Sequence, residues 1–194
     1  KEMQYIKLNT NESPFPPSPR AIAAAQMAAK GLNLYSDPEL KELRSAIAEQ
    51  FGVTSDMVFC GNGSDDVLAL AFRAFFNSDK PIIYPEITYS FYPVWCDMLR
   101  IPYETIPVDE DFNINAADYA RENGGVVIAN PNAPTSIGRG LDFIREILDN
   151  NRDSVVIVDE AYVDFTKDDI TIRLLSHDNL LDVTEKAGDG DFVK

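Results

Sequence analysis

Hydrophobic and polar positions along this chain follow two periods that alternate along its length. Short apolar runs rich in valine and isoleucine predict buried strands, and the clearest is the β-branched run at residues 155–158. Between such runs, apolar residues recur at helical spacing, as at Leu40, Leu43, Ile47 and Phe51. The pattern predicts strands at residues 57–60, 81–84, 103–106, 126–129 and 155–158. It predicts helices at residues 19–31, 38–51, 64–76, 88–99, 115–122 and 141–150.

Residues that start or stop helices flank the first two helical segments. Ser18 and Asp37 each precede a proline, which is the order expected for an N-cap followed by the first helical residue. Gly31 and Gly52 follow these segments and are suited to end them. Pro93 lies inside the segment 88–99, so we expect this helix to be kinked there or to start late.

The alternation of strands and helices predicts an α/β fold, with a mostly parallel sheet covered by helices. No strand is predicted before Pro38, so residues 1–37 are expected to form an N-terminal arm and first helix outside the sheet. Residues 38–181 would form the main domain. Residues 182–194 are polar and interrupted by glycines, which predicts a separate tail.

Composition narrows the possible partners. A chain of 194 residues with a net charge of −15 is unsuited to binding nucleic acid or anionic membranes. No segment reaches the roughly 18 apolar residues of a membrane span, and the N-terminus does not resemble a signal peptide. Cys60 and Cys96 are expected to be reduced core residues, which fits a cytoplasmic location. With a single histidine, His177, a histidine-based metal site or catalytic triad has little support.

Polar side chains follow two of the predicted strands. Asp159 and Glu160 come directly after the run 155–158, and Asn132 lies in a proline-bracketed loop after the run 125–129. Ligands of open α/β sheets bind at the carboxyl ends of the strands, and a buried carboxylate there needs a partner. An amide and a carboxylate in one crevice could hold a cationic heteroaromatic ring. The alternatives are a helix-capping Asp159 and a loop-stabilising Asn132.

A glycine turn at residues 61–63 precedes the helix predicted from Ser64. Glycines permit close backbone approach, and the free N–H groups of a helix start attract a phosphate. An ordinary helix cap explains Ser64 equally well.

Several motifs in order resemble the fold type I aminotransferases that use pyridoxal 5'-phosphate (PLP), and among them the histidinol-phosphate aminotransferases. The motifs are LNTNESP from Leu8, YSDP from Tyr35, GNGSDDVL from Gly61, NPNAPT from Asn130 and VVIVDEAYVDF from Val155. The resemblance covers about residues 5–181. It implies a PLP-dependent transaminase of histidine biosynthesis that acts on an amino-acid-type substrate and a 2-oxo acid, with histidinol phosphate and 2-oxoglutarate as the expected pair. The main domain would then be an incomplete PLP-binding large domain.

The resemblance also implies roles for individual residues. Asp159 would pair with the protonated ring nitrogen of PLP, while Asn132 and Tyr162 would hydrogen-bond its phenolic oxygen. The turn residues Gly63, Ser64 and Asp65 would hold the phosphate, and Tyr89 would stack on the ring. Core packing is the alternative for Tyr89, but it suits the neighbours Phe91, Tyr92 and Trp95 better. Glu160 is expected to be structural.

Three further residues are placed by resemblance near other parts of the site. Tyr35 would reach the cofactor phosphate of a partner subunit, which implies a homodimer. Asn11 and Glu12 match arm residues close to the substrate, with an ordinary solvated loop as the alternative. The chain departs from the commoner motif NPNNPTG at Ala133 and Ser136, which bears on the geometry of the turn after Asn132.

The family's Schiff-base lysine is not identified in this chain. It should follow a serine-rich turn shortly after Leu181, and the nearest candidate, Lys186, lies in TEKAG without flanking serines. One alternative is therefore a chain that binds PLP without catalysis. A related PLP enzyme, either an aromatic aminotransferase or an amino-acid-phosphate decarboxylase, is another. A P-loop NTPase is a third, since a strand ending in Asp159 and Glu160 resembles a Walker B element, but the chain contains no G-x-x-x-x-G-K-[ST].

Overall fold

A computed structural model of the chain describes residue 6 and residues 15–166 and 171–184. The chain divides into two compact units that meet in sequence between Phe59 and Cys60. Asn11, Glu12 and Lys186 lie outside the described residues. Within the described ranges, no helix is both long and apolar enough to cross a membrane.

The described residues of the first unit form the helices α1 (Pro19–Ala28) and α2 (Lys41–Phe51), with short 3₁₀ turns at Ala29–Gly31 and Ser55–Met57. Ser18 caps α1 as predicted, because its side chain accepts a hydrogen bond from the N–H of Ala21 at 3.2 Å. The predicted start of α2 is three residues too early. The Asp37 carboxylate accepts bonds from the N–H groups of Glu39 and Lys41, and this turn delays the helix.

The second unit is built on a five-stranded parallel sheet. Its spatial order is β2-β1-β3-β4-β5, with the strands at Ile82–Pro85 (β1), Tyr103–Ile106 (β2), Gly125–Ala129 (β3), Val156–Asp159 (β4) and Leu180–Val183 (β5). Its helices are α3 (Ser64–Phe75), α4 (Tyr92–Leu99) and α5 (Leu141–Asn150), with 3₁₀ turns at Ala116–Tyr119, Val163–Phe165 and Thr171–Leu174. β5 ends at Val183, so the first two residues of the predicted tail, 182 and 183, belong to the sheet.

Alternate side chains of the strands face two separate apolar layers, as a sheet covered on both faces requires. Val126, Ile128, Val156 and Val158 pack with α5 in one layer. The other layer, which we call the aromatic layer, contains residues of the sheet, α3 and α4: Leu68, Phe72, Phe76, Ile82, Tyr84, Tyr92, Trp95, Val127 and Ile157. The sheet faces are therefore covered by α5 on one side and by α3 and α4 on the other.

Two predicted elements are wrong and one conditional prediction is confirmed. Residues 57–60 form no strand, because the extended segment at Val58 pairs with no strand of the described sheet. The helix predicted at 115–122 is a single 3₁₀ turn, Ala116–Tyr119, since the chain must then enter β3. The helix predicted at 88–99 starts late, at Tyr92, with Pro93 in its first turn, where proline is tolerated.

Strand order reverses at β1, because β2 lies on one side of it and β3 to β5 on the other. Crossover connections that run in opposite directions along a sheet cover opposite faces, so the loops after β1 and β3 diverge. The gap between them is the topological switch point, where ligands bind in open α/β sheets. Asn132 follows β3 and Tyr89 follows β1, so both candidates lie at this point.

Candidate functional site

Asp159 ends β4 with its carboxylate buried at the carboxyl edge of the sheet, 6% exposed. Its Oδ2 accepts a hydrogen bond from the Tyr92 hydroxyl at 2.7 Å, and its Oδ1 accepts one from the N–H of Ala161 at 3.2 Å. A carboxylate can accept about four hydrogen bonds, so this geometry is compatible with a further donor. The arrangement suits an N–H cation presented from the crevice.

Tyr92 is fully buried at the first residue of α4. Burial, and then the negative charge of Asp159, raise the pKa of its phenol well above the usual 10. The proton therefore stays on the tyrosine, which acts as a permanent donor to the carboxylate. We expected core packing of Phe91, Tyr92 and Trp95; the structure buries Tyr92 and Trp95 but leaves Phe91 45% exposed.

Asn132 ties the loop after β3 to the loop after β1. It is 2% exposed, and its Oδ1 accepts a bond from the Thr88 hydroxyl at 2.7 Å. Its Nδ2 donates to the carbonyl of Ile87 at 2.9 Å and to the Thr135 hydroxyl at 3.0 Å. Since one amide hydrogen is held by the Ile87 carbonyl, a ligand oxygen would have to take the hydrogen now directed at Thr135. The Thr135 hydroxyl would keep other partners, because it donates to the Asn132 carbonyl and accepts from the N–H of Ile137, each at 3.5 Å.

The turn after Asn132 closes on itself through backbone bonds. The N–H of Ser136 donates to the Asn132 carbonyl at 2.7 Å, and the N–H of Asn132 donates to the Ile137 carbonyl at 2.9 Å. Ser136 has φ +60°, in the left-handed region that favours glycine. The turn is therefore formed although serine stands where the commoner motif has glycine. The peptide bonds before Pro131 and Pro134 are both cis.

The glycine turn before α3 places Gly63 at the N-cap with φ +86°, a conformation that L side chains rarely adopt. Ser64 is the first residue of α3, so its turn presents the backbone N–H groups of a helix start. The Asp65 side chain points toward another partner, because its Oδ1 accepts a bond from the Tyr89 hydroxyl at 2.9 Å. Asp65 thereby connects the helix start to the loop after β1.

Tyr89 is half-buried between this turn and the aromatic layer. Its ring lies 5.6 Å from that of Tyr92 and 5.9 Å from that of Phe91. Burial raises the pKa of the Tyr89 phenol to about 12, and the bond to Asp65 contributes. The ring is thus held next to the switch point by contacts on several sides.

Two residues that follow β4 behave differently. Glu160 is 1% exposed and accepts a bond at 2.8 Å from the N–H of Thr171, whose hydroxyl also donates to it. This agrees with the structural role expected of Glu160. Tyr162 is 36% exposed, with its ring 6.5 Å from that of Phe165.

The described part of the second unit thus brings Asp159, Asn132, Tyr89 and Asp65 to the carboxyl edge of the sheet. Tyr35 lies in the first unit and is fully exposed there. No cluster of three or more metal-ligating side chains occurs among residues 15–166 and 171–184.

Sequence reasoning missed two participants, Tyr92 and Thr88. Tyr92 belongs to a helical pattern of apolar residues, and this pattern is typical of the core. Its partner Asp159 lies 67 positions away in the sequence. Thr88 lies 44 positions from Asn132. The signal that could have found them is their position between the end of β1 and the first residue of α4, next to the switch point.

Comparison with known proteins places this geometry in a family. The sequence model described as Aminotransferase class I and II matches residues 3–184. Histidinol-phosphate aminotransferase 2 of Dechloromonas aromatica is 52% identical over 186 residues, covering 93% of this chain and 52% of that protein. The histidinol-phosphate aminotransferase of Lactococcus lactis is 49% identical over 177 residues, covering 91% and 50% respectively. The chain spans about half the length of the curated relatives it matches.

Solved structures share the fold at lower identity. Histidinol-phosphate aminotransferase from Sinorhizobium meliloti, in complex with pyridoxal 5'-phosphate, superimposes with a TM-score of 0.79 at 22% identity, over 94% of this chain and 52% of that chain. A tetra mutant of Thermus thermophilus aspartate aminotransferase gives 0.82 at 19% identity, over 91% and 54%. These likenesses confirm the predicted α/β fold with its parallel sheet covered by helices.

The family match also removes the support for the P-loop NTPase alternative. It runs from residue 3 to residue 184 and so includes every strand of the described sheet and both candidate strand ends. A match of this extent shows that the chain belongs to the class I and II aminotransferase family.

Proposed function

We propose that the protein is a PLP-dependent histidinol-phosphate aminotransferase, which exchanges an amino group between histidinol phosphate and 2-oxoglutarate in histidine biosynthesis. The observation that carries the proposal is the buried Asp159 at the switch-point edge of a chain about half identical to histidinol-phosphate aminotransferases. The proposal concerns the activity of the whole protein, since this chain spans about half the length of its relatives.

The residues at the edge fit the polar groups of PLP. The Asp159 carboxylate can accept a hydrogen bond from a protonated ring nitrogen, and its burial strengthens that charge pair. Asn132 can donate to the phenolic oxygen once Nδ2 turns from Thr135, and Tyr162 is the second candidate for this bond. Tyr89 offers a ring face for stacking.

The start of α3 suits the phosphate. Gly63 and Ser64 present backbone N–H groups at the positive end of the helix dipole. Asp65 contributes through its backbone and through the bond to Tyr89, because its carboxylate would repel a phosphate. In a chain of net charge −15, such local donors must supply the attraction.

The chemistry that PLP supplies when bound is an electron sink for the bond broken at the substrate Cα. Asp159 keeps a proton on the ring nitrogen, which makes that sink effective. Asn132 and Tyr162 hold the phenolic oxygen, and Tyr89 keeps the ring in a fixed plane. Asn11 and Glu12, on the arm, are proposed to contact the substrate.

A steady-state assay of the full-length protein tests the reaction. We expect 2-oxoglutarate-dependent transamination of histidinol phosphate, with slower turnover of aromatic amino acids and no release of CO₂. A preference for an aromatic amino acid would favour the aromatic aminotransferase alternative. Release of CO₂ would favour the decarboxylase alternative.

We further propose a cytoplasmic homodimer in which Tyr35 contacts the cofactor phosphate of the partner subunit. The exposed Tyr35 ring supports this, because it lies outside the unit that carries Asp159. Mixed dimers of Tyr35→Ala and Asp159→Ala subunits provide the test. Action across the interface leaves one intact site in each mixed dimer, so activity returns on mixing. No return of activity would place Tyr35 on the cofactor of its own subunit.

For the chain of residues 1–194 we propose reversible, non-covalent PLP binding, because no serine-flanked lysine follows Leu181. Borohydride reduction followed by peptide mapping tests this. We expect no pyridoxyl adduct on the chain. An adduct on Lys186 would show that this chain itself supplies the covalent lysine.

A further inference from the structure

We infer that Tyr92 is a positioning residue whose hydroxyl fixes the Asp159 carboxylate and keeps the proton of the Asp159–cofactor pair on the ring nitrogen. This inference rests on the proposed PLP site, but it concerns a residue for which the sequence predicts only core packing. Tyr92 would act through Asp159 and would not touch the cofactor.

The hydroxyl of Tyr92 has little freedom to leave the carboxylate. The residue is 0% exposed, and its oxygen lies 2.7 Å from Asp159 Oδ2. Its ring is enclosed by other aromatic side chains, with centroid distances of 5.6 Å to Tyr89, 5.8 Å to Tyr84, 6.1 Å to Phe72 and 6.3 Å to Trp95. Packing therefore holds the donor in place whether or not a ligand is bound.

The direction of the effect follows from which state the bond favours. A donated hydrogen bond stabilises the carboxylate over the carboxylic acid. In a pair made of Asp159 and a pyridine nitrogen, it therefore favours the ion pair, with the proton on nitrogen, over the neutral pair, with the proton on oxygen. Hydrogen bonds to charged groups are strong enough to shift such an equilibrium about 10- to 100-fold.

The aromatic layer offers a matched control. Tyr84 is 2% exposed and packs against Tyr92, and its hydroxyl has no hydrogen-bond partner within residues 15–166 and 171–184. Tyr84→Phe removes a buried hydroxyl from the same layer without touching Asp159. Tyr92→Phe removes the one that donates to it.

The experiment measures the ¹⁵N chemical shift of ring-labelled PLP bound to the full-length protein and to these two variants. We expect a pyridinium shift in the wild type and in Tyr84→Phe. In Tyr92→Phe we expect the shift to move toward that of an unprotonated pyridine, with a lower kcat. A pyridinium shift in Tyr92→Phe equal to that of the wild type would overturn the inference.

A second substitution keeps the test independent of folding defects. 3-Fluorotyrosine at position 92 preserves the ring and makes the phenol a stronger donor, so any residual neutral pair should decrease. An increase in the neutral pair would contradict the inference. Failure of the wild type to bind PLP, or to protonate it, would instead overturn the proposed function.

Discussion

The amino and carboxyl edges of the parallel sheet both carry polar side chains, but the groups that form their hydrogen bonds differ. At the amino edge, Asn123, Asn151 and Asn179 lie in the segments that lead into β3, β4 and β5. Asn151 donates to the Ile147 carbonyl at 2.8 Å, and Asn179 donates to the carbonyls of Leu148 and Asn151 at 3.1 and 3.0 Å. Asn151 and Asn179 thus bond to carbonyls at the C-terminal end of α5, where carbonyls lack partners within the helix. Asn123 donates to the Asn151 side chain at 2.6 Å.

At the carboxyl edge, hydroxyl groups donate to carboxylate or amide oxygens of other elements. Tyr92 bonds to Asp159, Thr88 to Asn132 and Tyr89 to Asp65, across 67, 44 and 24 positions of sequence. Burial of polar groups alone therefore does not mark a functional site in this fold. Pairing of distant side chains does not mark it either, since Asn123 and Asn151 pair at the amino edge. The carboxyl edge is distinguished by carboxylates that accept bonds from hydroxyl groups at the edge where ligands bind.

The largest effect that we expect comes from Asp159→Ala at the carboxyl edge. Loss of the carboxylate lets the cofactor nitrogen lose its proton, so transamination by the full-length protein should fall by about 10³-fold, as for other preorganised charges. Steady-state kinetics measure this. The matched control is Asp118→Ala, which removes an exposed carboxylate near the surface. Turnover of Asp159→Ala close to that of the control would exclude Asp159 as the ring-nitrogen partner.

The converse substitution at the amino edge is Asn151→Ala. Asn151 is 4% exposed and accepts a bond from Asn123 at 2.6 Å, so its loss leaves buried partners without bonds. We expect the free energy of unfolding to fall by about 1–3 kcal/mol, with PLP affinity unchanged. Urea unfolding of the chain and PLP titration measure the two quantities.

Asn77→Ala is the matched control for that change. Asn77 also donates to helix-end carbonyls, those of Arg73 and Ala74, but it is exposed. We expect its effect to be below about 1 kcal/mol, because water replaces the lost bonds. A large loss of PLP affinity in Asn151→Ala would show that the two edges are coupled and that their separation into structural and functional edges is wrong.

The comparison also shows how much could be predicted from sequence. The position of Asp159 and Asn132 at the carboxyl edge could be predicted because each follows an apolar strand. Such a strand is recognised from neighbouring residues alone. The strand predicted at 57–60 failed because apolar residues pair only where a neighbouring strand exists, and that is a tertiary property. The role of Tyr92 could not be predicted for the same reason. Its position in the helical pattern is typical of a core residue, and its bond to Asp159 depends on how the layers pack.

A smaller effect is expected from Tyr89→Phe, which removes the bond between the loop after β1 and Asp65. The ring remains for stacking, so PLP affinity should fall only about 2- to 10-fold. Fluorescence titration with PLP measures this. A loss of 100-fold or more, on the order of a charged contact, would mean that the hydroxyl itself contacts the ligand.

The Tyr89 variant also has a pH signature. The folded pKa of about 12 is above the unfolded value near 10, so the contribution of this phenol to stability is present below pH 10 and is lost as pH rises through 12. The free energy of unfolding of the wild type should therefore decrease more between pH 8 and pH 11 than that of Tyr89→Phe. Equal decreases would show that Tyr89 is not buried as described.

The smallest effect is expected at the turn after Asn132. Ser136 has φ +60°, which costs an L-residue roughly 1–2 kcal/mol, while glycine loses about 0.5–1 kcal/mol of backbone entropy. Ser136→Gly should therefore stabilise the chain by up to about 1.5 kcal/mol in urea unfolding. The control Ser45→Gly, at an exposed position inside α2, should destabilise it by about 0.5 kcal/mol.

PLP affinity of Ser136→Gly decides what the strained turn contributes to the carboxyl edge. The backbone bonds between Ser136, Asn132 and Ile137 do not involve the serine side chain, so the turn and the amide of Asn132 should keep their positions. We expect unchanged affinity together with higher stability. Weaker PLP binding in the stabilised variant would mean that a non-glycine residue at this turn is needed to hold Asn132 rigidly. The backbone strain at Ser136 would then contribute to ligand binding.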